Sequence, residues 1–381
     1  MVKINSFFAI RPEQKIAHKV TTRAYADYSQ DDIKIELKNN QYSFLNIIKQ
    51  NNTKDQTKKY ELIRKKISDF EKNKILNTDK RKSIYVYQQT DGKRDFVGVI
   101  CTIELKDYIE KKIKIHEHTI KKRESLFAQY LAGTKIHAEP VLLTYNSNVS
   151  YIQKKHMSNE NLIYSFKTKD NTHHSVWQIK EQREIQKIQK AFSKIEHLYI
   201  ADGHHRMASS ARNQPQGECL AYILPKKSLI TYPFHRSVKI NNKLLKKFKN
   251  NLTLKKINKP IKNTNKIQCF INNKWYQIID NENKESNNLM IEKITNDIFP
   301  KIFNIIDERK SKNVTFIPGN QSINSIEKQL HKNEEILFIL KPITIEKILE
   351  LAQKNQTTPA KSTFIIPKIP SGLIMMKIHD I

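Results

Sequence analysis

The chain has 381 residues, of which 68 are Lys or Arg and 38 are Asp or Glu, so its formal net charge is +30 at pH 7. Hydrophobic residues make up 38% of the chain, which is enough for a buried core and excludes a disordered protein. The 7 glycines form neither a GxGxxG dinucleotide fingerprint nor a GxxxxGKS/T phosphate loop, so both nucleotide-binding signatures are excluded.

Cysteine usage and hydropathy indicate the compartment. Cys101, Cys219 and Cys269 are odd in number and far apart in sequence. This excludes a disulfide framework and a CxxC metal site, and it is typical of a reducing interior. The apolar stretch over residues 1–10 is too short for a signal peptide, and no uncharged apolar stretch reaches the ~18 residues that a membrane span needs. We therefore expect a cytoplasmic protein.

Strand and helix patterns intermingle along the chain. In chain order they predict helices over 30–37 and 58–74, a hairpin of strands 83–88 and 96–103, a helix over 119–131 with Gly133 as its C-cap, and a strand over 140–145. They then predict strand 175–179, helix 181–193, strand 197–201, helix 204–212, and strands 219–224 and 237–240. Beyond a Lys/Asn-rich seam over 241–273 they predict strands 275–279, 314–317, 336–340, 364–366 and 373–378, with helices 289–305, 323–330 and 345–353. This mixture predicts an α/β or α+β fold with mixed sheets.

The positive charge is spread over nearly every segment, where Lys accompanies Asn and Ile. A strongly AT-biased genome produces this composition without selection for binding, and a dispersed Lys surplus is more often a solvated surface than a groove. We find no convincing helix-turn-helix and no aromatic residues interleaved with Arg. The charge therefore gives only weak support to a nucleic-acid partner.

The most specific pattern is YIADGHHR, residues 199–206, where an apolar strand is followed by Asp-Gly and a helix start. Gly203 lets the backbone approach a ligand closely, and the helix N-terminus presents free N–H groups to an anion. Arg206 could clamp phosphate oxygens, while His204 and His205 could donate hydrogen bonds or act in acid–base chemistry. The pattern predicts a phosphate site.

Asp202 ends the predicted strand, where its carboxylate could bind a metal ion or orient a hydroxyl group. The alternative is an ordinary Asp-Gly turn in which Asp202 is only an N-cap and the histidines are solvated. The concentration of functional residue types in five positions favours the functional interpretation.

A second candidate is KIHEHT, residues 114–119, just before a predicted helix. Glu117 could act as a general base on a hydroxyl group, and Lys114 or His116 could contact phosphate. His116 and His118 lack the i, i+4 spacing of helical zinc ligands. A charged helix start with Glu in its first turn explains the segment equally well.

A third candidate lies near the end of the chain, where Lys361 and Lys368 flank a short apolar strand. The two lysines could form a basic wall of an anion pocket, although an edge strand with turns is the favoured interpretation. The polar clusters at 23–28 and 307–309 are weaker candidates of the same kind.

In combination the motifs resemble a bacterial and archaeal family of unknown function, whose members are often labelled partitioning-protein-like. The resemblance runs nearly end to end and rests on six motifs: FAIRP at 8–12, NQYSFL at 40–45, YVYQ at 85–88, KIHEHT at 114–119, ADGHHR at 201–206 and KSTF at 361–364. The DGHHR segment is similar to that of archaeal and staphylococcal free-serine kinases, which have the ParB/sulfiredoxin fold.

The resemblance implies a ParB/sulfiredoxin-like core with N- and C-terminal additions. We predict a catalytic domain with an N-terminal extension over residues 1–240 and a C-terminal α/β domain over 241–381, packed on the first.

The resemblance also implies a nucleotide-dependent phosphotransferase that acts on a small hydroxyl compound, with free serine as a candidate. Glu117 would be the base, Asp202 would hold Mg²⁺ or orient the hydroxyl, and the phosphates of ADP or ATP would be bound by Gly203, His204, His205, Arg206, Lys114 and His116. Phosphoryl transfer needs chiefly positioning and charge neutralisation, which these residues supply.

Two departures and two alternatives remain. The family shows Pro-Tyr-Asp where this chain has RAYAD at 23–27, and it shows Asn-Pro where this chain has Asn40-Gln41. Loss of the Pro-Tyr-Asp motif bears on substrate recognition more than on phosphate binding. The family label and the net charge favour a DNA-binding or regulatory protein as the alternative. A sulfiredoxin-like redox enzyme is disfavoured because its chemistry needs a Cys where this chain has His204.

Overall fold

The computed structural model describes residues 1–49, 53, 55–147, 149, 154–261, 264–279, 289–330 and 334–378. Over these residues the chain forms two compact units. The first unit comprises Met1–Ile115, Thr119–Leu229 and Pro367–Ile381, and the second comprises His116–His118 and Ile230–Ile366.

The α-helices of the described residues are α1 Ala17–Val20, α2 Gln30–Asn39, α3 Leu45–Ile48, α4 Gln56–Lys72, α5 Leu105–Ile109, α6 Lys121–Thr134, α7 Gln182–Phe192, α8 His204–Asn213, α9 Asn242–Asn251, α10 Met290–Lys293, α11 Phe299–Phe303, α12 Ile323–Gln329 and α13 Ile345–Gln353. A π-helical turn, Ile294–Ile298, joins α10 to α11. In these ranges every helix is too short or too polar to cross a bilayer.

The strands of the same residues are β1 Ile4–Asn5, β2 Ala9–Pro12, β3 Leu76–Thr78, β4 Ile84–Thr90, β5 Asp95–Glu104, β6 Ile113–Lys114, β7 Ile136–His137, β8 Val141–Tyr145, β9 Leu162–Lys167, β10 His173–Ile179, β11 Leu198–Asp202, β12 Glu218–Pro225, β13 Ile230–Lys239, β14 Thr253–Ile257, β15 Gln268–Ile271, β16 Lys274–Ile279, β17 Val314–Pro318, β18 Glu335–Ile339, β19 Thr363–Ile366 and β20 Met375–Lys377. The predicted mixed α/β class is confirmed.

The main sheet of the first unit has nine strands among the described residues, in the order β6-β11-β8-β12-β5-β4-β10-β9, with β1 paired to β5. The predicted hairpin is confirmed as β4 and β5, and the Asp91 carboxylate closes its turn by accepting from the N–H groups of Lys93 and Arg94. Strand β11 is buried up to Ala201 and ends at Asp202, so Asp202 lies at the end of the strand, just before the start of α8.

A small second sheet of the first unit has the order β3-β2-β20-β7 within the described ranges. Its inner strand β20 comes from the end of the chain and pairs with β2 on one side and β7 on the other. Residues 375–377 are therefore part of a sheet of the first unit.

The predicted C-cap at Gly133 is wrong. Helix α6 continues to Thr134, and Lys135 takes the left-handed conformation, with φ 57°, that ends it. A Cβ atom at Gly133 would overlap the ring of Tyr60 on α4. The close approach of α4 to α6 therefore explains the glycine, and sequence position alone does not show this.

The second unit contains a seven-stranded sheet in its described part, in the order β14-β16-β15-β18-β13-β17, with β19 paired to β13. The predicted seam over 241–273 lies inside this unit and carries α9, β14 and β15, while residues 262–263 lie outside the described ranges. The compact units divide between Leu229 and Ile230, and the domain boundary at 240 stays a prediction.

A buried ion pair lies at the centre of the second unit. Arg236 on β13 is fully buried and donates from Nε and Nη2 to the two carboxylate oxygens of Glu308, each at 2.9 Å. Its Nη1 donates to the carbonyl oxygens of Phe234 and Lys361, and its guanidinium lies over the ring of Phe316. Glu308 belongs to one of the weaker polar clusters of the sequence, yet its side chain is only 4% exposed.

We predict that Glu308→Ala lowers the free energy of unfolding by about 3–5 kcal/mol, because it leaves the guanidinium buried without its counter-charge. The double variant Arg236→Met/Glu308→Leu should recover part of the loss, since both charges are then absent. Denaturant unfolding of the full chain measures both. Asp297→Ala, which removes an exposed i, i+4 partner of Lys301, is the control and should change stability by less than about 1 kcal/mol. An equal effect of the two single variants would contradict a buried pair.

Candidate phosphate-binding site

Helices α6 and α8 of the first unit pack side by side in the same direction. Three hydrogen bonds join them in sequence: Ile120 N–H to His205 Nε2 at 3.0 Å, Ser209 Oγ to the Glu124 carbonyl at 2.9 Å, and Asn213 Nδ2 to the Ala128 carbonyl at 2.6 Å. Each step advances four residues, about one turn, along both helices. The helices are therefore parallel, and their N-terminal ends lie together.

Two adjacent helix N-termini form an electropositive end of this pair. Each carries N–H groups without intrahelical partners and the positive end of a helix dipole. The N-cap of α8 is Gly203, directly after Asp202 at the end of β11. This arrangement favours an anion next to Gly203.

Gly203 adopts the left-handed conformation with φ 97° and ψ 26°, which a residue with a Cβ atom rarely takes. A Cβ atom at this position would lie 3.1 Å from Nε and 3.2 Å from Nη2 of Arg206. The Nε–Nη2 edge of the guanidinium therefore lies over the Gly203 turn. This is the edge that binds two oxygens of a phosphate or carboxylate at once.

The opposite edge of Arg206 is fixed by the protein. Its Nη1 donates to the Pro140 carbonyl oxygen and lies 3.3 Å from Oε2 of Glu139. Glu139 in turn accepts a hydrogen bond from the Ser371 hydroxyl. The guanidinium is thus oriented before any ligand binds.

Asp202 forms an ion pair with Lys368, whose Nζ lies 2.7 Å from Oδ2, and the aspartate side chain is 38% exposed. Partial burial would raise the pKa of Asp202, but the charges of Lys368 and Arg206 outweigh it and hold the pKa well below its usual range. Asp202 is therefore ionised at every physiological pH.

The fit of Mg²⁺ depends on the number of ligands available. No group of three or more His, Cys, Asp or Glu side chains is placed to hold a metal ion in the part of the chain that the structure describes. Mg²⁺ is often bound through one or two carboxylates together with substrate phosphates. Asp202 fits such a site as its single carboxylate, with nucleotide phosphates and water as the remaining ligands.

The two histidines of the motif have different surroundings. His204 is buried, 9% exposed, and its interaction with Asp202 helps lower the pKa of that carboxylate. His205 accepts at Nε2 from the N–H of Ile120, the N-cap residue of α6. Its ring therefore provides a hydrogen-bond acceptor for a backbone N–H at the start of the neighbouring helix. Their phosphate-binding roles stay predictions.

The residues of the second candidate segment are divided between the units. Lys114 is on β6, beside Tyr199 of β11, in the first unit. His116 and Glu117 belong to the second unit, where His116 is buried and its Nε2 lies 3.4 Å from the Thr363 hydroxyl. Glu117 makes a parallel bridge with Thr358. The pKa of Arg309 is raised chiefly by its hydrogen bonds to Asp307, and the charge of Glu117 adds a smaller contribution. The predicted roles of His116 and Glu117 stay predictions.

The third candidate segment contributes a lysine to the candidate site, which its favoured interpretation as an edge strand with turns did not predict. Strand β19 is paired with β13 off the main strand order, which agrees with an edge strand. Lys368, two residues after the end of β19, forms the ion pair with Asp202. The sequence assigned no role to Glu139 or Ser371, because their contacts with each other and with Arg206 join segments that are far apart in the chain.

Comparison with known proteins gives a family and distant structural similarities. The profile of the family described as "Protein of unknown function (DUF1015)" matches residues 4–335. No curated protein matches the chain.

Three solved structures illustrate the distant similarities. A free serine kinase mutant in complex with AMP is 16% identical, with 73% of this chain and 91% of that chain covered and a TM-score of 0.44. SbnI from Staphylococcus aureus with a C-terminal truncation is 10% identical, with 70% and 82% covered and a TM-score of 0.43. A conserved hypothetical protein from Pyrococcus furiosus is 18% identical, with 73% and 95% covered and a TM-score of 0.42.

We predict that Gly203→Ala destabilises the chain by about 1–3 kcal/mol through backbone strain, with a further loss from crowding of Arg206. Gly92→Ala is the matched control, because Gly92 also has a positive φ, 84°, but nothing lies within 4 Å of its added Cβ. Thermal or denaturant unfolding should show a larger loss for Gly203. Equal losses would show that Arg206 does not occupy the space above the turn.

We predict that Lys368→Met raises the pKa of Asp202, because burial then acts with less opposing charge. The lowered pKa of Asp202 stabilises the folded chain above the unfolded value near 3.8, and this stabilisation is lost as pH falls through the folded pKa. The variant should therefore lose stability at neutral pH and show a smaller loss on acidification. A ¹³C carboxyl NMR titration measures the pKa, with Lys341→Met as control. An unchanged midpoint in Lys368→Met would refute the ion pair.

Proposed function

The chain belongs to the DUF1015 family, and for this member we propose a nucleotide-dependent phosphotransferase that acts on a small hydroxyl compound. The observation that carries the proposal is the Nε–Nη2 edge of Arg206, which lies over Gly203 at the joint N-terminal end of α6 and α8. A guanidinium edge, the N-terminal ends of two helices and a left-handed glycine together favour a phosphate group.

The proposed phosphate contacts come from this chain's own groups. The backbone N–H groups at the start of α8 donate to phosphate oxygens, and the absence of a side chain at Gly203 lets those oxygens approach. Arg206 adds two parallel hydrogen bonds without reorienting, since Glu139 and the Pro140 carbonyl already hold its other edge. Preorganised donors of this kind are the main protein contribution to phosphoryl transfer.

Asp202 and Lys368 complete the proposed site. Lys368 holds Asp202 ionised and in place, and Lys368 also adds a positive charge beside the phosphates. Asp202, together with the nucleotide phosphates, would hold Mg²⁺, and the ion would supply neutralisation of the charge on the transferred group. Asp202 supplies one carboxylate oxygen while the other stays bonded to Lys368.

Glu117 is the proposed base that takes the proton of the acceptor hydroxyl as its oxygen attacks the terminal phosphorus. The bond from that phosphorus to the bridging oxygen breaks. The leaving group is AMP when ADP is the phosphate donor, and ADP when ATP is the donor. This role rests on the motif resemblance at residues 114–119. The solved free serine kinases contain AMP or ADP, and we take adenine nucleotides and free serine as first probes for this chain.

We predict that the full chain binds ADP or ATP with Mg²⁺, and that Arg206→Ala or Asp202→Ala abolishes the binding in titration calorimetry. Arg212→Ala is the matched control, because Arg212 is on the same helix, 55% exposed and at its opposite end. Glu117→Gln should keep nucleotide binding and lose transfer of phosphate to serine, followed by ³¹P NMR.

Absence of binding by both nucleotides in the presence of Mg²⁺ would refute the proposal. Duplex DNA provides the test of the alternative function. Salt-sensitive DNA binding together with no nucleotide binding would favour the DNA-binding alternative.

A further inference from the structure

Lys368 reaches the proposed phosphate site from a segment whose backbone is held in place. Pro367 precedes it and Pro370 follows two residues later, and each proline ring restricts its own φ. Ser371 is anchored to Thr22 by two backbone hydrogen bonds, of 2.9 Å and 3.1 Å. The ammonium group of Lys368 therefore extends from a backbone whose position the first unit fixes.

This ammonium group engages one oxygen of the carboxylate that we assign to the metal. Nζ of Lys368 lies 2.7 Å from Oδ2 of Asp202, and the two side chains are 31% and 38% exposed, so a ligand can reach the pair. Arg206 brings a second positive charge, because its Nε–Nη2 edge lies over Gly203, the next residue in the chain. The counter-charge of Arg206 is Glu139, at its opposite edge. Asp202 therefore meets two cations with one negative charge.

This balance of charge disfavours a divalent cation that arrives alone. A carboxylate that already has an ammonium partner attracts another cation less, and the two cations repel each other. The N-terminal end of α8, directly after Asp202 and Gly203, has the same sign. Among the side chains that the structure describes, no cluster of three or more His, Cys, Asp or Glu offers a metal its ligands. The described side chains alone therefore hold a free divalent cation weakly.

Nucleotide phosphates reverse this balance. Their oxygens carry several negative charges, and in the proposed site they accept hydrogen bonds from Arg206 and from the N–H groups at the start of α8. They thereby neutralise the positive groups around Asp202 and supply further oxygen ligands beside it. Mg²⁺ is usually bound through one or two carboxylates together with substrate phosphates. The phosphates therefore provide the charge and the ligands that the ion pair with Lys368 leaves insufficient.

We propose that Lys368 makes metal binding conditional on the nucleotide, so that the site takes a divalent cation together with a nucleotide di- or triphosphate and excludes the free cation. Lys368 acts on the metal through Asp202 and is a specificity-determining residue, with no part in bond breaking. The inference rests on the proposed phosphotransferase function, because it assumes phosphates at Arg206. It adds the order of binding, in which the nucleotide enters before the metal or with it.

The test is titration of the full chain with Mn²⁺, which binds the same kinds of oxygen ligand as Mg²⁺ and is followed by electron paramagnetic resonance. Without nucleotide, the unmodified chain should show no Mn²⁺ site with a Kd below about 1 mM. Lys368→Met should bind Mn²⁺ at least about 10-fold more tightly, because the ammonium group no longer competes for Asp202. A merely structural role of Lys368 would not produce this gain.

Three further variants make the result specific. Lys368→Arg keeps the positive charge and should exclude Mn²⁺ as the unmodified chain does. Asp202→Asn combined with Lys368→Met should lose the gained affinity, because the carboxylate is absent. Lys377→Met is the matched control, since Lys377 lies in the same final segment and its Nζ is 2.9 Å from the Glu71 carboxylate. Its removal should leave the affinity for Mn²⁺ unchanged.

Failure of this inference and failure of the proposed function give different results. Calorimetry with ADP and ATP, in EDTA and in Mg²⁺, tests the phosphate site separately. If neither nucleotide binds in either condition, the proposed function fails and the inference fails with it. If a nucleotide binds, a Kd below about 1 mM for Mn²⁺ alone on the unmodified chain overturns only the inference, and this measurement needs no variant. An unchanged affinity for Mn²⁺ in folded Lys368→Met overturns it as well.

Discussion

The parallel packing of α6 and α8 is the constraint on which both ends of the first unit's helix pair depend. Hydrogen bonds from successive turns of one helix to successive turns of the other fix this direction. Antiparallel packing would place a positive end beside a negative end and cancel much of the local field. Parallel packing instead adds two positive ends beside Gly203 and two negative ends beside Lys135.

The last segment of the chain completes this arrangement from outside the helix pair. Lys368 pairs with Asp202, and Ser371 supports Glu139, which orients Arg206. The backbone of Ser371 is itself held by two hydrogen bonds to Thr22. Because these residues lie more than 150 positions after Asp202, the charges of the site are balanced only when distant parts of the first unit have come together.

Sequence reasoning was strongest where the signal is local. The hairpin of β4 and β5, the end of β11 at Asp202 and the start of α8 at His204 follow from residues within a few positions of each other. The sequence did not predict the features that depend on contacts between residues far apart in the chain. Gly133 is explained by Tyr60, and the burial of Arg236 by Glu308, partners 73 and 72 positions away in the chain. The role of His205 beside α6 likewise depends on a residue 85 positions earlier.

The N-terminal end of the α6–α8 pair favours one sign of charge. The field of the two helix N-termini favours an anion beside Gly203, and the guanidinium of Arg206 strengthens that preference. Because Nη1 of Arg206 is bonded to the Pro140 carbonyl oxygen and lies beside Glu139, the Nε–Nη2 edge keeps its orientation over the Gly203 turn. The helix field and the guanidinium therefore act at the same place, and together they favour an anion more strongly than either does alone.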